Sequence, residues 1–267
     1  MKRTGFTLIE LLVGIAVIVL LIALLNSVLR RCRMQALSLK CLANVKALTF
    51  DLLQYAEKND DTFPKGYRVT FPGPGEYLGS ADRDPIGRWW IDEIGEFAER
   101  EKSQKGVFGC PSKRIDNPRL QDNILWGNYG ANRSICRTWP ASRYERGEFT
   151  GAPLSRNNIP HPSRTLLIVD SGQVLITWWD ATDVSPSSTS SLNQDLNYLP
   201  GLDIKAGKNL LPGQRWDAIV GRHLNKTVNA GFVDGHAARK KAQDLFVERV
   251  EGAADEYKNL TPTWVPE

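Results

Sequence analysis

Phe6-Thr7-Leu8-Ile9-Glu10-Leu11-Leu12-Val13 opens an apolar run that continues to Leu29, and the reading of this run decides the fold. Among its 24 residues only Thr7, Glu10, Asn26 and Ser27 are clearly polar. As a helix rising ~1.5 Å per residue it is ~36 Å long, enough to cross a hydrocarbon core of ~30 Å. Lys2 and Arg3 precede it, and Arg30, Arg31 and Arg33 follow it. A secretory signal peptide has a shorter apolar stretch and a small-residue cleavage site behind it. Here Asn26-Ser27-Val28-Leu29 leads straight into arginines. The carboxylate of Glu10 is the more telling feature. An ionisable group in an apolar span costs several kcal/mol, so it marks a functional position.

Outward from the run, Leu37, Cys41, Val45, Leu48, Leu52 and Tyr55 recur at three- and four-residue spacing, with Lys40, Lys46 and Asp51 between them. This is the pattern of an amphipathic helix. Asn59-Asp60-Asp61 and Pro64 end it. A helix from Phe6 to Lys58 is ~80 Å long; its first half is a membrane segment and its second half packs on a globular domain. The expected organisation is a leader at 1–5, a transmembrane segment at 6–29, the helix continuation at 30–58 and a globular domain at 59–267.

The start of the chain resembles a known family. Lys2-Arg3-Thr4-Gly5-Phe6-Thr7-Leu8-Ile9-Glu10 is similar to the class III signal of type IV pilins and type II secretion pseudopilins. The resemblance implies cutting after Gly5 by a prepilin peptidase, N-methylation of Phe6, and assembly with other pilin-like subunits through Glu10. It also implies a pilin-like α+β fold, with the long helix packed on an antiparallel sheet. The charges flanking the span do not fix its orientation. The resemblance places the N-terminus in the cytoplasm, the span in the inner membrane, and the domain in the periplasm or on a surface filament. The alternative is a membrane-tethered envelope domain that binds a ligand or glycan without polymerising.

The remaining sequence suits a loop-rich globular domain. The chain has 267 residues, 42% hydrophobic and 24% charged, with 22 Gly and 15 Pro. Mean hydropathy of −0.33 excludes a multi-span membrane protein. The 34 Lys and Arg exceed the 30 Asp and Glu by only four, which does not suggest a nucleic-acid partner. Residues 60–87 read as a loop, 89–102 as a short helix, and 185–197 as a polar loop. Strands are expected at 165–170, 174–179, 227–233 and 236–240. Ser171-Gly172-Gln173 joins the first two as a hairpin and Asp234-Gly235 joins the last two. A short helix is expected at 242–250, and the C-terminal tail lacks periodicity.

His223 with Asp234-Gly235-His236 resembles the H-x9-DG motif of a group of pilin-like proteins abundant in planctomycetes. Cys41-Leu42-Ala43-Asn44-Val45-Lys46, Cys110-Pro111-Ser112 and Pro162-Ser163-Arg164-Thr165 are similar to the same group. Here ten residues, rather than nine, separate His223 from Asp234. His223, Asp234 and His236 are candidate ligands for calcium or another divalent metal, set against a plain turn with a hydrogen-bonded histidine. Of the four cysteines, Cys110 and Cys136 are the first choice for a disulfide, Cys41 with Cys110 is the rival, and free buried thiols remain open. Nucleophile elbow, phosphate loop and metalloprotease motifs are missing from the sequence, so no catalysis is expected.

Overall fold

In the computed structural model the apolar run and the amphipathic stretch form one continuous helix, α1 (Leu8–Lys58). The structure describes residues 8–69, 87–94, 106–121, 123–138, 147–182, 197–202, 210, 213–251 and 256–266. The 51 residues of α1 span ~77 Å. Every residue from Leu8 to Arg33 is exposed, and burial starts at Ser38. Cys41, Val45, Leu48, Leu52 and Ala56 then form a fully buried stripe. Leu37 and Tyr55, at the two ends of the expected stripe, are only half-buried.

The rest of the chain builds a mixed sheet against that stripe. Its strands are β3 (Tyr129–Asn132), β4 (Leu166–Asp170), β5 (Leu175–Ile176), β6 (Thr227–Phe232) and β7 (Ala237–Lys241), in the order β5-β3-β4-β6-β7. A separate two-stranded ribbon pairs β1 (Tyr67–Val69), inside the loop expected at 60–87, with β2 (Gly87–Trp89), which runs from the end of that loop into the start of the helix expected at 89–102. Helix α1 lies on β4, β6 and β7. A second buried layer, with Trp178, Leu199, Phe232, Leu245 and Trp264, covers the opposite face of the sheet. Sheet and helix bury each other's apolar faces, which neither can do alone. The α+β, pilin-like arrangement is therefore present.

Gly231 sets how closely α1 approaches. A Cβ at this position would lie 1.9 Å from Thr49 Oγ1 and 2.9 Å from Ile168 Cγ2. Thr49 is fully buried, and its hydroxyl donates to the Val45 carbonyl at 2.7 Å, so it has little room to yield.

Several expectations are corrected. The sheet is not wholly antiparallel, because β5 runs parallel to β3. Residues 165–179 do not form a hairpin, since β3 lies between β4 and β5. The polar backbone of the connection is drawn elsewhere: Ser171 N–H donates to Asn128, Gly172 N–H to Tyr198 and Val174 N–H to Leu125. Trp178 and Trp179 sit in a 3-10 turn, Trp178–Ala181, closed by Asp180 accepting from the Thr177 N–H at 2.7 Å. The helix expected at 89–102 is one turn, α2 (Trp90–Glu93), with residues 95–102 outside those described. The helix expected at 242–250 is a 3-10 turn at Ala242–Leu245. Two further α-helices among the described residues are short, α3 (Pro118–Gln121) and α4 (Arg215–Val220).

Candidate functional site

Two parts of the molecule carry chemistry that packing alone does not explain. The first is the exposed N-terminal half of α1. Glu10 lies in its first turn among apolar side chains that are all more than half exposed, from Leu8 to Leu29. Gly5 and Phe6 lie outside the described residues. An apolar surface of this length, with one carboxylate near its tip, has no counterpart among the described residues of the globular domain. The helix is long and apolar enough to cross a membrane.

That geometry meets an independent finding. Residues 1–26 match the family model of the prokaryotic N-terminal methylation motif. The chain carries a class III, prepilin-type signal. This prepilin-type chain thus joins a processing motif to a long helix and an α+β domain, as pilin-like proteins do. No curated protein and no solved structure matches it.

The second part is a buried polar cluster where α1 enters the domain. Cys41 Sγ, on α1, is 2.8 Å from Cys110 Sγ, on the loop after residue 106. A ring nitrogen of His223 lies within 4.8 Å of both sulfurs. His223 Nε2 is 3.0 Å from Asp170 Oδ2, at the end of β4. Asp170 Oδ2 also accepts from the Asn229 backbone N–H at 2.6 Å and from its side-chain amide at 3.2 Å. His223 Nδ1 and Asp170 Oδ1 make no hydrogen bond among the described residues.

The electrostatics follow from this placement. Burial pulls the His223 imidazole toward its neutral form, but the Asp170 carboxylate more than offsets it and lifts the pKa to about 9. The hydrogen bond from Cys110 lowers Cys41 to about 5, against the effect of burial. Cys110 moves the other way, pushed well up by burial. With both thiols reduced, the Asp170 carboxylate thus favours the charged form of His223, and the Cys110 contact favours the charged form of Cys41.

A buried ion pair lies next to the cluster in sequence, at Arg222 beside His223. Arg222 and Asp217 are paired at 2.7 Å with both side chains fully buried. Arg222 also donates to the carbonyls of Asn128, at 2.6 Å, and Ser171, at 2.7 Å. Tyr198 donates its hydroxyl to Asp217 at 2.7 Å. Burial would strip the guanidinium of its proton, yet Asp217 holds its pKa well above the usual arginine value.

The structure does not assemble His223, Asp234 and His236 into one site. His223 is buried against Asp170, whereas Asp234 and His236 form a half-exposed pair with Nδ1 at 2.6 Å from Oδ1. His223 and Asp170 sit against Asn229 in the middle of β6, whereas Asp234 and His236 lie at the turn beyond the end of that strand. Asp234-Gly235 does make the β6–β7 turn, with Gly235 at φ +94°. The longer spacing after His223 coincides with two left-handed residues, Asn225 and Lys226, at φ 58° and 51°. Nor is Cys110 placed with Cys136; its sulfur neighbour is Cys41. Cys136 is buried elsewhere, its thiol pushed up to about 12 by burial.

Sequence reasoning missed Asp170, Asp217, Arg222 and Asn229. A signal was present: Asp170 closes a run of five buried strand residues, and Asn229 interrupts another buried strand. A polar residue in such a position needs a buried partner.

Proposed function

We propose that the chain is a structural subunit of a type IV pilus-like filament or type II secretion pseudopilus. In this reading a prepilin peptidase cuts after Gly5 and methylates the new N-terminal Phe6. The apolar half of α1 spans the inner membrane, with the domain in the periplasm, until the subunit is drawn into the assembly.

Glu10 is the observation that carries the reading. Its position in the first turn of an apolar helix is costly for an anchor and useful for an assembling subunit. The amine freed at Phe6 lies one turn away along the chain, and the same amine on a neighbouring subunit offers Glu10 a cationic partner. Such pairing fixes the axial stagger between stacked helices, which apolar contacts alone leave loose. The second half of α1 supports the reading too. Leu39 and Phe50 are 59% and 63% exposed, on the side turned away from the sheet. In a stack of subunits they have neighbouring helices to pack on.

The test compares filament or pseudopilus yield from wild type and Glu10→Val at matched membrane levels. Insertion of the variant should be intact, because a charge has been removed from the apolar phase. Assembly should be lost or strongly reduced, since stranding the partner amine costs ~3–5 kcal/mol at every contact. Equal yields would overturn the proposal.

A further inference from the structure

We propose that Cys41 and Cys110 are joined by a disulfide that staples the long helix to the domain at the point where the helix enters it. The inference rests on the placement of the domain outside the cytoplasm given above.

The distance between the sulfurs decides among three states. At 2.8 Å they are closer than non-bonded carbon atoms at best contact, about 3.5–4.0 Å, although sulfur is the larger atom. Two thiols at rest do not sit there. Two thiolates sharing a tetrahedral zinc, each ~2.3 Å from the metal, would stand ~3.8 Å apart. A zinc site would thus need the sulfurs about 1 Å farther apart. It would also need a fourth ligand. Among the described residues only His223 joins the two cysteines as a metal-ligating group. A disulfide needs the sulfurs to close toward ~2.05 Å and asks for nothing further.

The surroundings hold both cysteines in place for closure. Cys110 N–H donates to Asn128 Oδ1 at 3.0 Å. Asn44, one turn along α1 from Cys41, donates to the Gly109 carbonyl at 3.0 Å and to the Tyr129 hydroxyl at 3.2 Å. Asn44 thus ties the helix to the loop beside the sulfurs, and Asn128 ties the loop to the segment that leads into β3.

The oxidant is a disulfide of an envelope thiol–disulfide oxidoreductase, or a small-molecule disulfide, acting before the domain closes over both side chains. The Cys41 thiolate attacks one sulfur of that disulfide. A mixed disulfide forms and one oxidant thiolate leaves. Cys110 then gives up its proton to that thiolate and attacks the Cys41 sulfur, expelling the second oxidant thiolate, which takes a proton from solvent or His223. Two protein thiols are oxidised and one disulfide is reduced to two thiols.

The position gives the bond a use. Burial of α1 begins at Ser38, so Cys41 lies within the first buried turn. Force applied along the protruding helix reaches the domain there first. A covalent link at this point keeps the helix from being peeled off the sheet.

The test uses full-length protein purified from its native host in detergent, acid-quenched, denatured and treated with a maleimide. The expected result is a mature chain two hydrogens lighter than its fully reduced form, with Cys32 and Cys136 labelled. Cys41 and Cys110 should label only after reduction, and their peptides should be found linked before it. Cys41→Ser and Cys110→Ser should lower the Tm equally, with no further loss in the double variant. Labelling of both thiols in chains that have lost residues 1–5 would overturn the disulfide while leaving the assembly reading intact. So would one equivalent of zinc whose removal by a chelator makes both thiols reactive. Free thiols in chains that keep Met1 would instead overturn the placement of the domain on which the inference rests.

Discussion

Replacing Arg222 with leucine removes one half of a fully buried ion pair and leaves the other half in place. Asp217 then keeps two donors, the Tyr198 hydroxyl at 2.7 Å and the Arg114 backbone N–H at 3.2 Å, but loses its counter-charge. The Ser171 carbonyl loses the guanidinium donor at 2.7 Å, while the Asn128 carbonyl retains the Ser171 N–H at 3.1 Å. Stranding one member of a buried pair costs ~3–5 kcal/mol, and an orphaned buried carbonyl adds to that. With ~4 kcal/mol as the central figure, the Tm of a domain this size should fall by roughly 8–16 °C. Thermal unfolding of the full chain in detergent, followed by near-ultraviolet circular dichroism, reads this directly. The control is the double variant Arg222→Leu with Asp217→Leu. It removes both charges and both desolvation costs, and should recover a large part of the loss. If the single variant loses less than ~1 kcal/mol, or the double variant is the less stable of the two, charge pairing is not what holds this region.

Three other contacts have measurable consequences. Gly231→Ala should destabilise by ~1–3 kcal/mol through overpacking, and Thr49→Ala in the same chain should restore part of the loss; equal stability of wild type and Gly231→Ala would show that the helix has slack there. Trp264→Ala should cost ~3–5 kcal/mol, because the ring is fully buried and its Nε1 donates to Leu245 at 2.9 Å. An unchanged denaturant midpoint would mean that the tail does not contribute to the core. For His223, whose folded pKa in the reduced protein is about 9 against an ordinary 6.5, the stabilisation is complete below ~6.5 and is lost as pH rises through 9. Unfolding free energy measured across that window should fall in wild type, by less once Cys41 and Cys110 are oxidised because the Cys41 sulfur then adds nothing to the shift, and much less in Asp170→Asn.

What could be read from sequence depended on whether an element states its own reason to form. Helix α1 does, because a lone apolar run of membrane-spanning length satisfies its backbone as a helix, and the three- and four-residue stripe continues the same period. The β6–β7 hairpin does too, with Asp234-Gly235 between two strand-like segments. Strand β3 does not: Tyr129-Gly130-Ala131-Asn132 has little strand propensity and is a strand because β4 and β5 flank it. The two residues of β5 are fixed by that same neighbour. The tail looks featureless in sequence yet is anchored by tertiary bonds. Leu166 N–H donates to the Thr263 carbonyl at 2.8 Å, and the Asn132 amide donates to that of Trp264 at 2.9 Å. The polar cluster was hidden for a related reason. Cys41, Cys110, Asp170 and His223 are up to 182 positions apart in sequence, and only the helix-on-sheet packing brings them together. Glu10 was legible because a charge in an apolar helix stands out without any fold.

The mass of the mature N-terminus in the native host separates a processed pilin-like subunit from a plain membrane anchor. A processed subunit is a chain of 262 residues, the full 267 less the first five, starting at an N-methylated Phe6. A membrane-bound chain that retains Met1 would contradict this.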